Sequence, residues 1–450
     1  MQRVETEELA KQLPDRSKRG IARDTARLVR AGVLPVGARL PPLRDLAFAM
    51  GISPSTLSEA WKELRRLRIL TGRGRNGTFV SGSSLAPRPA RLTAPGLISK
   101  GALNLSMGAP DVALLPPLAD AMAYGTQAEG LNVYERIRIL PELEAALRPT
   151  WPFTNSSMLA TNGGYNAVYV VLQALIAPGS VVAIETPTPI RLLDILEDLG
   201  VTIVLVEQDE FGPKPESLRK VLEQQPSIFI YQPIISSATG LHLSPQRMAE
   251  IGDVLEHSDM LILEDDGLGD ISNAPPQSLG DRFPNRVLHI RSFSKCYGPD
   301  LRMAVLSASE EMIEQVQSYR AFSAGWTSRI LQSAVAWLLK DKETQRRVAM
   351  ATDIYQHRRN RLAKALRGRG IACPDGAGLC LYMPVHSETF AMITLAAHGI
   401  SVVPGEYFSM QPSGHIRVGT GLLSSDNCEM VADVLALAAA EPVAFDKLPG

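Results

Sequence analysis

Between Val181 and Ser292, short β-branched and aliphatic runs alternate with stretches of helical periodicity: Val181 to Glu185, Thr202 to Glu207, Ser227 to Gln232, Met260 to Asp265 and Arg286 to Ser292. Strands separated by helices do not pair as hairpins, so this alternation predicts an α/β unit with a mainly parallel sheet covered on both faces. Ligands of such sheets sit beyond the carboxyl ends of the strands. With 450 residues the chain is too long for one ordinary domain. Its balance of 45% hydrophobic and 21% charged residues excludes a disordered or fibrous protein.

The strand ends carry the unusual residues. Leu261-Ile262-Leu263-Glu264-Asp265-Asp266 is an apolar strand that finishes in three acids, and the strand at Val287 leads into Ser292-Phe293-Ser294-Lys295. A lysine there is partly desolvated, which lowers its pKa and readies the amine for a Schiff base. Pyridoxal phosphate needs that lysine, a carboxylate to keep its ring nitrogen protonated and donors for its phosphate. Any one of these side chains taken alone reads as a surface charge or salt-bridge partner.

Charge is divided unevenly. Residues 1–90 hold 17 Lys and Arg against 8 Asp and Glu, leaving 29 against 39 in the remainder. A basic end suits a polyanion, although a solvated basic face is the duller reading. From Arg19 to Leu34 the spacing of Ile21, Leu28 and Val29 predicts a helix that Pro35 ends. A second short helix is expected over Leu43 to Met50, a turn at Gly51-Ile52, and a third helix capped by Ser53 with Pro54 at its first position. In the third helix Leu57, Trp61 and Leu64 face inward, leaving Ser55, Thr56, Ser58, Glu59 and Lys62 outward or flanking. Small hydroxyl residues at its start can enter a major groove. TGRGRNGTFV, residues 71–80, reads as two short strands around a tip, with Arg73 and Arg75 available to phosphates.

The segment from Leu28 to Val80 resembles the GntR-type winged helix. Carried over by position, Arg44, Ser53, Ser55 and the wing tip Asn76-Gly77 become DNA contacts, joined by Thr56, Lys62 and Arg75. Arginines frequent in that family at the positions of Pro54 and Ser58 are absent. From about Leu103 to Leu437 the chain resembles fold-type I aminotransferases, and the whole resembles the MocR regulators that append one to a GntR head. In SFSKCYGPDLRMAVL, the resemblance makes Lys295 the Schiff-base lysine, with Ser292 and Arg302 on the cofactor phosphate. LEDDGLGD supplies Asp265 for the pyridine nitrogen, and the loop-to-helix start at NGGYNA offers Gly164 and Tyr165 to the phosphate. GHIRVGTGLL supplies Arg417, which grips a carboxylate through two parallel hydrogen bonds. The same resemblance implies that Tyr134 reaches a phosphate across a dimer interface.

The departures bear on mechanism. Ser237 stands where the family has the asparagine that bonds the cofactor's phenolic oxygen, and Asp266-Gly267-Leu268 lacks the tyrosine expected after the acidic strand end. Thr186 to Ile190 offers no ring to stack on the pyridine, and the Gly and Leu-Arg usual after Tyr134 appear as Ile139 and Leu143-Glu144. The expected pocket binds the cofactor but is poorly equipped for fast transamination.

These readings predict a winged helix-turn-helix over residues 1–82, a linker over 83–100, an aminotransferase-like large domain over 101–335 and a smaller C-terminal α+β part over 336–450. The expected protein is a homodimeric regulator that binds double-stranded operator DNA and senses a small amino compound or the cofactor itself. An active aminotransferase, and a regulator that has abandoned pyridoxal phosphate for another metabolite, are the alternatives. The acidic start MQRVETEELAKQL lacks the character of a secretory signal, and the apolar run Val168 to Ala177 stops at Pro178, too short to span a bilayer. A cytoplasmic protein with no membrane contact is expected. Four scattered cysteines, Cys296, Cys373, Cys380 and Cys428, imply no metal.

Overall fold

The computed structural model describes residues 4–72, 77–81, 91, 102–154 and 156–441. Two compact units are present: Met1–Thr93 with Asp194–Gly200, and Ala94–Leu193 with Val201–Gly450. Among the described residues no helix is long and apolar enough to cross a membrane.

The first unit holds helices α1 (Thr6–Lys11), α2 (Lys18–Arg30), α3 (Leu43–Ala49) and α4 (Pro54–Arg66), then the antiparallel strands β1 (Leu70–Thr71) and β2 (Phe79–Val80). Leu57, Trp61 and Leu64 are fully buried, as their spacing predicts, and full burial of each leucine contributes about 2 kcal/mol. Helix α2 stops before Leu34, because Gly32 takes a left-handed φ of 72° and turns the chain ahead of Pro35. Helix α1 lies in the acidic start, where the sequence offered only the lack of a signal peptide. Its Leu9 and Ala10 are buried in the same core as Ile21 and Trp61.

In the second unit a short strand β3 (Leu103–Asn104) precedes an eight-stranded mixed sheet. The sheet comprises β4 (Ser157–Thr161), β5 (Val181–Thr186), β6 (Thr202–Asp209), β7 (Gly212–Pro213), β8 (Ile228–Tyr231), β9 (Leu261–Asp266), β10 (Val287–Ser292) and β11 (Ala304–Ala308), in the spatial order β4-β11-β10-β9-β8-β5-β6-β7. The five strands expected from the sequence are β5, β6, β8, β9 and β10, and each is parallel to its neighbour among them. Strand β11 runs antiparallel to both β10 and β4. Every residue of β8 is buried, which explains a continuous apolar run rather than an alternating one. The chain leaves β5 toward β6 and returns on the other side to β8, so the topological switch point lies between the carboxyl ends of β5 and β8.

Later, β12 (Cys380–Pro384), β14 (Val403–Pro404) and β15 (His415–Gly419) form a three-stranded antiparallel sheet, while β13 (Ile400–Ser401) pairs in parallel with β3. A separate cluster that includes Leu362, Leu381, Ile416 and Leu435 forms the core of this part.

Candidate cofactor pocket and DNA-binding face

Parallel pairing sets Ile290 opposite Asp265, and alternation along β9 and β10 sends Asp265 and Ser292 to one face of the sheet. Glu264, Asp266, His289 and Arg291 go to the other. On that reverse face the Glu264 carboxylate accepts hydrogen bonds from the Tyr231 hydroxyl at 2.7 Å, the Ser278 hydroxyl at 2.5 Å and the Leu279 N–H at 2.8 Å. It also lies 2.7 Å from His289 Nδ1. Trp151 and Phe153 meet the His289 ring edge-on, so the cluster is sealed from water.

On the pocket face, burial and the neighbouring Asp266 push Asp265 up to about 7, against the opposing pull of His289. A cationic group brought against this carboxyl restores its ionised form. Lys295 follows β10 on the chain; its Nζ donates to the Gly108 carbonyl at 2.8 Å. Burial, then repulsion from Arg417, lowers its pKa to about 8, so a usable fraction of neutral amine exists near neutral pH. Arg417 on β15 donates from Nη2 to the Ser106 carbonyl at 2.6 Å and lies 4.4 Å from the centroid of the Phe408 ring. Its buried Nε has no partner among the described residues.

The helix Gly164–Leu175 begins directly above Ser292. A Cβ on Gly164 would stand 3.2 Å from the Ser292 Cβ and 3.9 Å from Asp265 Oδ1, so glycine keeps open a hollow that a side chain would fill. Gly163 has a φ of 99°, and a Cβ there would meet Arg302 Nη2 at 3.0 Å. Arg302 is itself left-handed, with a φ of 48°, and donates to the Asn162 carbonyl at 3.3 Å. Helix N–H groups, a serine hydroxyl and a guanidinium around one hollow make an anion cradle, with the Asp265 carboxyl beside it and Lys295 three residues beyond Ser292 on the chain. Anion donors, a carboxyl and a buried amine are the chemistry that pyridoxal phosphate requires, so this donor set fits it.

Two expected residues stand differently. Ser237 donates its hydroxyl to Gln232 Oε1 at 2.9 Å, and its backbone N–H goes to the same oxygen at 2.7 Å, so its hydroxyl proton is already engaged within the chain. Tyr134 is 89% exposed and meets the edge of the Trp326 ring. Leu268, in place of the family's tyrosine, is buried. Sequence reasoning missed Gln232, whose Nε2 donates to the Asp265 carbonyl at 3.5 Å, and Glu185, whose carboxyl burial pushes well above the usual range while it accepts from the Gln232 N–H. Both end strands flanking the switch point, a position that could have flagged them.

At the other site, Ser53 Oγ accepts the Thr56 N–H at 3.1 Å and lies 2.7 Å from Ser55 Oγ and 2.8 Å from Thr56 Oγ1. The three hydroxyls thus form one cap at the exposed start of α4. Lys62 is exposed and 3.8 Å from Glu59, while Arg44 is exposed with no ion pair among the described residues. Gly77 has a φ of 82°, and a Cβ there would meet Arg39 Nε at 3.0 Å. Arg39, which the sequence reading passed over, is bridged to Phe79 and adds a cation beside the wing. Arg73, Arg75 and Asn76 lie outside the described residues.

Known proteins resemble both segments of the chain. Residues 18–80 match the gntR family of bacterial regulatory proteins, and residues 100–435 match the aminotransferase class I and II family. The vitamin B6 salvage pathway transcriptional repressor PtsJ of Salmonella typhimurium is 31% identical over 410 residues, covering 89% of this chain and 94% of that protein. The HTH-type transcriptional regulator TauR of Rhodobacter capsulatus is 27% identical over 423 residues, covering 83% and 85%. Among solved structures, the multiple substrate aminotransferase of Thermococcus profundus superposes with a TM-score of 0.70 at 17% identity, covering 76% of this chain and 92% of that one. Aspartate aminotransferase of Thermus thermophilus with maleate gives 0.66 at 22% identity, covering 74% and 91%. At such identities the superpositions establish the fold, which is that of the pyridoxal-phosphate aminotransferases. A gntR-family head followed by an aminotransferase class I and II domain along one chain places this protein in the family of MocR-type transcription regulators.

Proposed function

We propose that the protein is a cytoplasmic, homodimeric regulator that binds operator DNA through Arg44, the Ser53-Ser55-Thr56 cap, Lys62 and the wing at Arg75, Asn76 and Gly77, and holds pyridoxal phosphate at Lys295. The observation that supports the cofactor half is the gathering of Asp265, Ser292, Arg302 and the Gly164 helix start around one hollow at the strand ends, with the buried amine of Lys295 three residues beyond Ser292 on the chain. When bound, the cofactor supplies an aldehyde that captures amines and a ring that withdraws electrons. Lys295 presents the amine, Asp265 holds a proton on the ring nitrogen, and Arg417 orients an incoming carboxylate. Tyr134 is assigned to the phosphate of the second protomer.

Sensing, rather than turnover, is supported by what surrounds the reacting atoms. The Ser237 hydroxyl is committed to Gln232, Leu268 offers no phenol, and Thr186 to Ile190 brings no ring. These groups shuttle protons and tune electron withdrawal, whereas lysine, carboxylate and phosphate donors suffice for binding. An amino compound is the first effector class. The naming of a relative as a vitamin B6 salvage repressor makes the cofactor itself the second. Ligand-dependent DNA affinity requires that the effector prefer one arrangement of the protein.

The test is the visible absorbance of the purified full chain with pyridoxal phosphate, followed by an amine and amino-acid screen and by operator-binding titrations. Borohydride reduction is expected to fix the cofactor on Lys295, and K295A is expected to abolish this. A protein that never develops the absorbance overturns the cofactor assignment. Amino-group transfer to a keto acid at substantial rates, lost in K295A, replaces sensing with catalysis.

A further inference from the structure

Arg191 lies at the second position of the helix Ile190–Leu199 and is solvent-exposed, with no ion pair among the described residues. Its guanidinium carbon stands 5.1 Å from the centroid of the Tyr165 ring, and Tyr165 follows Gly164 of the phosphate cradle. A guanidinium stacked on a ring keeps its N–H donors in its own plane, free to meet a carboxylate edge-on.

The segment that carries Arg191 is tied to the shelf under Arg417. Thr188 N–H donates to the Phe408 carbonyl at 2.7 Å, the Phe408 ring faces the Arg417 guanidinium at 4.4 Å, and Ile190 packs on the Ala238, Val403 and Phe408 cluster. One packed unit therefore fixes both arginines around Tyr165, whose hydroxyl feels the charges of both. Burial pushes the Glu185 carboxyl well above the usual carboxylate range, and Asp265 is assigned to the ring nitrogen.

We infer that Arg191 is a second anion contact of the pocket and selects effectors with an acidic group beyond the carboxylate taken by Arg417, that is, amino dicarboxylic acids. This rests on the reading of the pocket as a site for amino compounds. Arg417, near Lys295, takes the carboxylate adjacent to the amine, and Arg191, at the rim, takes the distal one.

The test titrates the cofactor-loaded full chain with L-glutamate, L-glutamine, L-aspartate and L-asparagine while following the visible absorbance, with borohydride trapping to report loading. Each acid is expected to half-saturate at about tenfold lower concentration than its amide. R191Q is expected to bring the acid down to the amide, with R191K retaining part of the difference. Equal responses to acid and amide in the parent protein, or a preference that survives R191Q, overturn the inference while leaving the pocket reading intact. A loaded protein that answers no amino compound overturns both.

Discussion

The Nζ of Lys295 donates its 2.8 Å hydrogen bond to the carbonyl of Gly108, and two residues earlier the Ser106 carbonyl receives Arg417. One short stretch of main chain thus holds Lys295 and Arg417, close enough that Arg417 helps depress the lysine. A lysine lowered from 10.5 to about 8 is disfavoured in its charged form by folding. The cost is complete below about pH 8 and fades as pH rises toward 10.5. Cofactor-free K295M is therefore expected to be more stable than the parent at pH 7, by roughly 3 kcal/mol, with the gap closing in alkaline buffer.

Asp265 gives the opposite slope. Its carboxyl rises from 3.8 to about 7, so the cofactor-free protein is most favoured below pH 3.8 as far as this group is concerned, and loses stability as pH climbs through 7. D265N is expected to flatten that part of the stability curve. It is also expected to weaken cofactor binding, read by absorbance titration, because an amide no longer offers a charge to a protonated ring nitrogen.

The Gly164 hollow is a steric prediction. A side chain at this position meets Ser292 at 3.2 Å or closer, in the space assigned to the phosphate. G164V is expected to raise the dissociation constant for pyridoxal phosphate by at least about tenfold. Near-parental circular dichroism would separate this from misfolding.

For the DNA face, R44A is expected to lower operator affinity and to reduce the slope of log affinity against log salt by about 1. S53A removes a helix cap and frees two neighbouring hydroxyls. A loss of about 1 kcal/mol in stability is expected alongside weaker binding.

Asp265 and Lys295 were legible in the sequence because buried parallel strands are apolar throughout, so a polar residue ending one stands out. The glycines were legible through the helix start that follows them. The partners of these groups were not. Gly108 and Ser106 reach the pocket from 187 and 311 residues away in sequence, and no local pattern records such closure. Arg191 is an ordinary arginine in an amphipathic helix until Tyr165 is seen beneath it. Ser237 was legible as a replacement, but the capture of its proton by Gln232 depends on how the chain turns between them. Helix α1 was hidden by its short length and acidic composition.

Strand β9 ends in three successive acids, and a slip of one residue would present Glu264 or Asp266 to the cofactor in place of Asp265. The four polar contacts around Glu264 act as an indexing pin against that error. They fit a glutamate at one notch of the strand, and the aromatic seal around His289 leaves a shorter or displaced carboxylate without partners. The acid that faces the ring is thus chosen from behind, by a side chain on the sheet's opposite face that has no access to the ligand.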